Sequence, residues 1–121
     1  MSKVTFTRLT EDAVIPEHQT AGAAGYDLHT VSEGIIEPGC SATLRTGFAL
    51  NVPFTVLGYM MGRSGFALRF GLDVRCSYVK SGEELLIHVT NRGHVPFTVE
   101  KLMRVAQLVF LSADVESVCV E

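Results

Sequence analysis

Paired cysteines, long apolar runs and an excess of positive charge are all missing from this chain, and each absence removes a class of function. Its three cysteines, Cys40, Cys76 and Cys119, are widely spaced and form no C-x-x-C pair. That spacing sets zinc-ribbon and thiol-redox work aside and predicts reduced, mostly buried thiols in a cytosolic protein. No apolar run approaches the ~20 residues of a membrane span, and Met1-Ser2-Lys3-Val4-Thr5-Phe6 lacks the apolar centre of a secretory signal. A soluble cytoplasmic protein with no membrane partner is the expectation. A formal net charge of −3 leaves no footprint for duplex nucleic acid. His18, His29, His88 and His94 show no metal-ligand spacing, and no Ser/His/Asp arrangement is legible.

What is present is a globular composition, 47% hydrophobic and 19% charged over 121 residues. Length and the absence of a linker predict one domain spanning residues 1–121. The apolar surplus predicts a covered subunit interface. Ala42, Leu44, Phe48, Leu50 and Val52 fall on even positions, the period-2 signature of a half-buried strand. Further strands are expected over 4–6, 55–61 and 115–120, and through Leu85, Ile87 and Val89, between which His88 reads as a packed strand residue. Arg104 to Leu111 is apolar on both faces and is predicted to be central. Turns are marked by Glu37-Pro38-Gly39, Asn51-Val52-Pro53, Lys80-Ser81-Gly82 and Asn91-Arg92-Gly93. One short helical turn fits Ser64 to Phe70, and Met60-Met61 fits core or subunit-axis space. Many short strands at this spacing predict an all-β sandwich or barrel.

Three short stretches carry candidate chemistry. Gly22-Ala23-Ala24-Gly25-Tyr26-Asp27-Leu28 combines small residues, which let a ligand approach the backbone, with one carboxylate. Asp27 suits the water shell of a hard cation such as Mg²⁺, or equally a loop entering a strand and satisfying its own amides. Gly62-Arg63-Ser64-Gly65 offers a guanidinium, a hydroxyl and free amides, a set that suits phosphate oxygens. The alternative is an arginine paired with a surface carboxylate while Ser64 caps the turn. In Arg104-Val105-Ala106-Gln107-Leu108, Gln107 needs hydrogen-bond partners that a phosphate or the backbone could supply.

In order and spacing, together with Thr46-Gly47-Phe48-Ala49-Leu50-Asn51-Val52-Pro53 and Phe70-Gly71-Leu72-Asp73-Val74, these stretches resemble the trimeric dUTPase family over residues 3 to 111. The resemblance implies a β-sandwich or jelly roll (a β-clip), a homotrimer with sites between subunits, and Mg²⁺ carried on a nucleotide's phosphates. It implies phosphate contacts from Arg63, Ser64, Gly65 and Gln107, and a water-mediated metal contact from Asp27. Gly62 stands where the family has Pro, and Leu102-Met103 replaces its Gly-Asp.

The family's third motif, Gly-x-Ile-Asp-x-Asp-Tyr-Arg-Gly-Glu, holds base and sugar and supplies the Asp that activates water. Here the segment reads Arg75-Cys76-Ser77-Tyr78-Val79-Lys80-Ser81-Gly82-Glu83-Glu84, and the ungapped general-base position is Lys80. No catalytic residue is therefore assigned, and Tyr78 is a candidate base or sugar contact. The fifth motif, a closing arm, has no match before Glu121. The sister branch of dCTP deaminases fits no better, because its catalytic Glu falls on His88. The expectation is a degenerate, homotrimeric relative of viral or phage type, in host cytoplasm or nucleus. It would bind a nucleotide or nucleotide-derived signal, or regulate a host protein, and its 115–120 strand would exchange between subunits. The alternatives are a divergent dUTP diphosphatase using Glu83 or Glu84, and a protein-interaction module without a ligand.

Overall fold

The computed structural model describes residues 3–16 and 25–112. Cys119, His18, Gly22–Ala24 and the strand expected over 115–120 lie outside them. Among the described residues ten strands and one helix follow in the order β1 (Thr5–Arg8), β2 (Tyr26–His29), β3 (Gly34–Ile36), β4 (Ser41–Asn51), β5 (Val56–Gly62), α1 (Ser64–Phe70), β6 (Leu72–Val74), β7 (Ser77–Tyr78), β8 (Glu84–Asn91), β9 (Phe97–Val99) and β10 (Arg104–Ser112). Sheet A runs β1-β4-β8-β6, sheet B runs β2-β10-β5-β7, and β3 pairs with β9. All strand pairs are antiparallel.

The alternation seen in the sequence decides which side each strand buries. Leu44, Phe48 and Leu50 on β4 and Leu85, Ile87 and Val89 on β8 point inward from sheet A. Leu28, Met60, Ala106 and Leu108 point inward from sheet B. Burying a side chain of this size contributes about 1.5–3 kcal/mol, so the sandwich interior carries most of the fold's stability. β10 is an inner strand, as its two apolar faces predict.

β4 is interrupted where alternation alone would continue it. Its register with β8 shifts between Arg45 and Ala49, and Gly47 lies there at φ +76°. The Gly47 carbonyl accepts from the amides of Leu9 and Thr10, and a Cβ there would meet Thr10 Oγ1 at 2.4 Å. Only glycine fits this bulge.

α1 matches the expected helical segment and ends on Gly71 in the left-handed conformation. Its N-cap is Arg63, with extended backbone and no side-chain cap bond, and Ser64 stands at the first helical position instead of the cap position expected of it. Two cysteine expectations are also corrected, since Cys40 and Cys76 are exposed. Each lies in a connection, just before β4 and between β6 and β7, where no facing layer covers it. His88 is half-buried on the outer face of sheet A, with Nδ1 3.0 Å from Thr43 Oγ1. No helix among the described residues is long and apolar enough to cross a membrane.

Candidate functional site

Three strands bring the separate sequence stretches to one end of sheet B. Gln107 on β10 lies opposite Asp27 on β2 and Met61 on β5, and Arg104 lies opposite His29. Directly paired residues share a face. Since Leu28, Met60, Ala106 and Leu108 face the core, Asp27 and Gln107 face outward. Arg63 follows the end of β5, and its Nη1 lies 3.4 Å from the Arg104 carbonyl.

The charges interlock. Arg104 Nη1 donates to Asp27 Oδ2 at 2.9 Å, with the two side chains 40% and 30% exposed. Partial exposure keeps the stabilising contribution of such a pair near the ~0–1 kcal/mol of surface bridges. Its larger effect is to fix where both groups point. Arg63 pairs with no carboxylate among the described residues; its guanidinium carbon sits 4.9 Å from the Phe66 ring centroid. Burial, then Arg104, lowers the Arg63 pKa from its ordinary value, and Asp27 opposes the shift. It remains a cation, with donors to spare.

Gln107 Nε2 reaches the Gly62 carbonyl at 3.4 Å, a long contact that a better acceptor could replace. Gly25 packs against this side chain: a Cβ there would meet Gln107 Oε1 at 2.8 Å and Gln107 Cβ at 3.3 Å. Glycine at that position therefore sets where Gln107 lies. Gly65 is exposed, and a Cβ on it would meet nothing within 4 Å among the described residues, so the first turn of α1 is open on that side. Ser64 occupies the first helical position.

Arg104 and His29 were not singled out as site residues. The signal for Arg104 was available, because a charge on a largely buried strand needs a partner and Asp27 was the matching carboxylate. His29 Nδ1 is buried without a hydrogen-bond partner. Burial holds its pKa below the ordinary histidine value, Asp27 opposing and Arg104 reinforcing the shift. No group of three or more His, Cys, Asp or Glu side chains suited to a metal occurs among the described residues.

Tyr78 shares the outer face of sheet B. It lies opposite Tyr59 with ring centroids 5.3 Å apart, and Tyr59 lies opposite Val109. One residue pair along and two strands across from Gln107, it stands about 12 Å away by standard sheet spacings. Leu57, Leu111 and Tyr78 on this face are 44%, 53% and 64% exposed. The cluster thus sits at the end of an apolar stripe.

The segment after Tyr78 forms a separate region. Lys80 and Glu83 bracket a tight turn in which the Glu83 amide donates to the Lys80 carbonyl. The groove beside it, about 480 Å³, is lined by Arg75, Tyr78, Lys80, Glu83, Glu84 and His88, and by Ser77, Leu85 and Leu86. None of Asp27, Arg63, Gly65, Arg104 or Gln107 lines it. Glu84 is held there by Arg45 through Nε and Nη2, both at 2.9 Å, and also accepts from the Gly47 amide. Glu83 is exposed and has no ion-pair partner among the described residues.

A family model described as dUTPase matches residues 11–120. The chain is 42% identical over 123 aligned residues to the deoxyuridine 5'-triphosphate nucleotidohydrolase of Encephalitozoon cuniculi, covering 98% of this chain and 85% of that protein. It is 34% identical to the one from Antonospora locustae, covering 89% and 77%. A solved Staphylococcus bacteriophage 80alpha dUTPase superposes with a TM-score of 0.85 at 20% identity, covering 98% and 96%. A dUTPase from phage phi11 of S. aureus, described with a structural Mg(II) ion, gives 0.86 at 19%, with the same coverage. The two structural likenesses establish the β-sandwich fold.

Proposed function

The chain belongs to the dUTPase family, and from that premise we propose that it binds a deoxyuridine triphosphate at the outer end of sheet B and does not turn it over efficiently. One observation supports this reading: Asp27, Arg63, Arg104 and Gln107 converge at the ends of three strands, whereas by family resemblance the general-base position falls on Lys80. Arg63 and Arg104 supply charge-assisted donors, and Gln107 exchanges its long bond to Gly62 for a phosphate oxygen. Ser64 and Gly65, at the open start of α1, complete the phosphate contacts.

The donor set fits Mg²⁺ only as a passenger. One carboxylate beside two guanidiniums is a poor cage for a bare divalent ion, but it suits a hydrated ion already held by phosphates. Asp27 is the residue that would face its waters. The reading also includes a homotrimer, in which the exposed Leu57 and Leu111 are covered by a neighbouring subunit. Tyr78 is the aromatic positioned to meet base or sugar.

A second reading is favoured by two specific observations. The relatives from Encephalitozoon cuniculi and Antonospora locustae are named as dUTP nucleotidohydrolases, and Glu83 is an uncommitted carboxylate in the groove. A divergent hydrolase would then use Glu83; Glu84, with both oxygens on Arg45, is no longer a candidate.

Titration calorimetry with a non-hydrolysable dUTP analogue and Mg²⁺ tests the binding. The expected result is saturable binding that weakens in Arg63→Ala; no binding by the intact protein would leave only an interaction module. Pyrophosphate release lost in Glu83→Gln would favour the second reading.

A further inference from the structure

The outer face of sheet A carries a cationic trough whose Arg75, His88, Ser41, Thr43 and Thr90 have no role in the dUTP reading above. β6 pairs with β8 from Leu72 and Asn91 to Val74 and Val89, and the Arg75 amide still donates to the His88 carbonyl at 2.9 Å before the chain departs toward sheet B as β7. That departure opens the groove beside β8. A second hollow of about 210 Å³ adjoins it, and the two share Arg75 and His88. Its floor is built from paired rows on one face, Ser41 with Thr90 and Thr43 with His88.

The neighbouring carboxylates are already neutralised. Asp73 accepts from Arg92 at 2.8 Å, and Glu84 is held by Arg45. Arg75 and Lys80 have no ion-pair partner among the described residues, and Glu83 is the one uncommitted acid on the rim. The trough therefore has a net positive balance. The hydroxyls of Ser41 and Thr90 lie 2.7 Å apart, and His88 engages Thr43 through Nδ1, leaving Nε2 for a ligand. An arginine, an imidazole N–H, an ammonium and hydroxyls are together the donor set of a phosphate group. Leu86 and Tyr78 add apolar surface alongside, and the groove falls within the ~300–1,000 Å³ of small-ligand pockets.

We propose that this trough, centred on Arg75 and His88 with Lys80 at its rim, binds a phosphate monoester as an anion subsite distinct from the Arg63–Arg104 cluster. Family resemblance gives the hairpin a neutral base and sugar; it assigns nothing to Arg75, His88 or the β4 hydroxyls. The proposal does not depend on whether dUTP is hydrolysed.

Calorimetry of the full chain with dUMP, inorganic phosphate and deoxyuridine separates the possibilities when Arg63→Ala is the background. Binding of dUMP or phosphate should persist in that background and fall about tenfold or more on adding Arg75→Ala, the loss of one charge-assisted contact. Adding His88→Gln should weaken it less, and deoxyuridine should show no dependence on Arg75. Phosphate binding as tightly as dUMP identifies the free ion as ligand; tighter dUMP identifies a nucleotide. The proposal is overturned if Arg63→Ala alone abolishes all phosphate-dependent binding. It is equally overturned if Arg75→Ala and His88→Gln, shown folded by thermal melting, leave that binding unchanged.

Discussion

The end of sheet B and the hairpin groove beside β8 contrast in how their charges are arranged. At the sheet end, groups from three strands constrain one another: Arg104 holds Asp27, Arg63 reaches the Arg104 carbonyl, and Gly25 packs on Gln107. In the groove, Glu84 is tied to Arg45 on a neighbouring strand, while Lys80 and Glu83 sit on an exposed turn. Where side chains position one another in this way, replacing one moves its neighbours. The 80–83 turn is anchored through its backbone and Ser81, with the Gly82 amide donating to the Leu50 carbonyl and the Val52 amide to Ser81 Oγ. The exposed side chains of Lys80 and Glu83 can therefore change without disturbing it.

The largest effect that could break this contrast is on binding at the sheet end. Arg63→Ala should weaken a dUTP analogue by about tenfold to a hundredfold, the range of a charge-assisted hydrogen bond, with little change in melting temperature. Calorimetry and a thermal melt read the two separately; an unchanged affinity would detach Arg63 from the phosphates. Gly25→Ala should come next. Its new Cβ displaces the Gln107 amide, and affinity should fall about two- to tenfold, the worth of a neutral hydrogen bond.

Smaller effects sharpen the groove side. Arg45→Ala releases Glu84, which should lower the melting temperature slightly, because both partners are partly exposed, and should weaken any anion bound there. His29 gives a pH signature at the sheet end. Its folded pKa lies below the unfolded value of 6.5, so its neutral form stabilises the fold above that pH. As pH falls through 6.5 the unfolded chain takes up the proton first, and this contribution is lost until folded His29 is also protonated. Denaturant titrations should show less loss of stability over that window in His29→Gln than in the parent chain.

Much of the fold was legible because burial writes itself into alternation. Leu85, Ile87 and Val89 on β8 and the two apolar faces of β10 were assigned correctly for that reason. The bulge at Gly47 was not, since it depends on the Leu9–Thr10 segment meeting the strand from far away in sequence. Strands of two to four residues such as β3, β6, β7 and β9 contain too few alternations to register. Cys40 and Cys76 were misjudged because apolar character was read as burial, whereas both lie in connections. At the site, the sequence placed Asp27, Arg63 and Gln107 in motifs but not the Asp27–Arg104 bond that joins them. Ion pairing across strands depends on register, which local pattern does not encode.

The central claim, a retained phosphate grip beside a groove without its general base, is tested most directly by pyrophosphate release from saturating dUTP with Mg²⁺. Loss of a general base predicts turnover about 10²–10⁴-fold below that of an intact enzyme, with Glu83→Gln unchanged from the parent. Turnover within the ordinary enzymic range of about 1–10³ s⁻¹, abolished in Glu83→Gln, would contradict it.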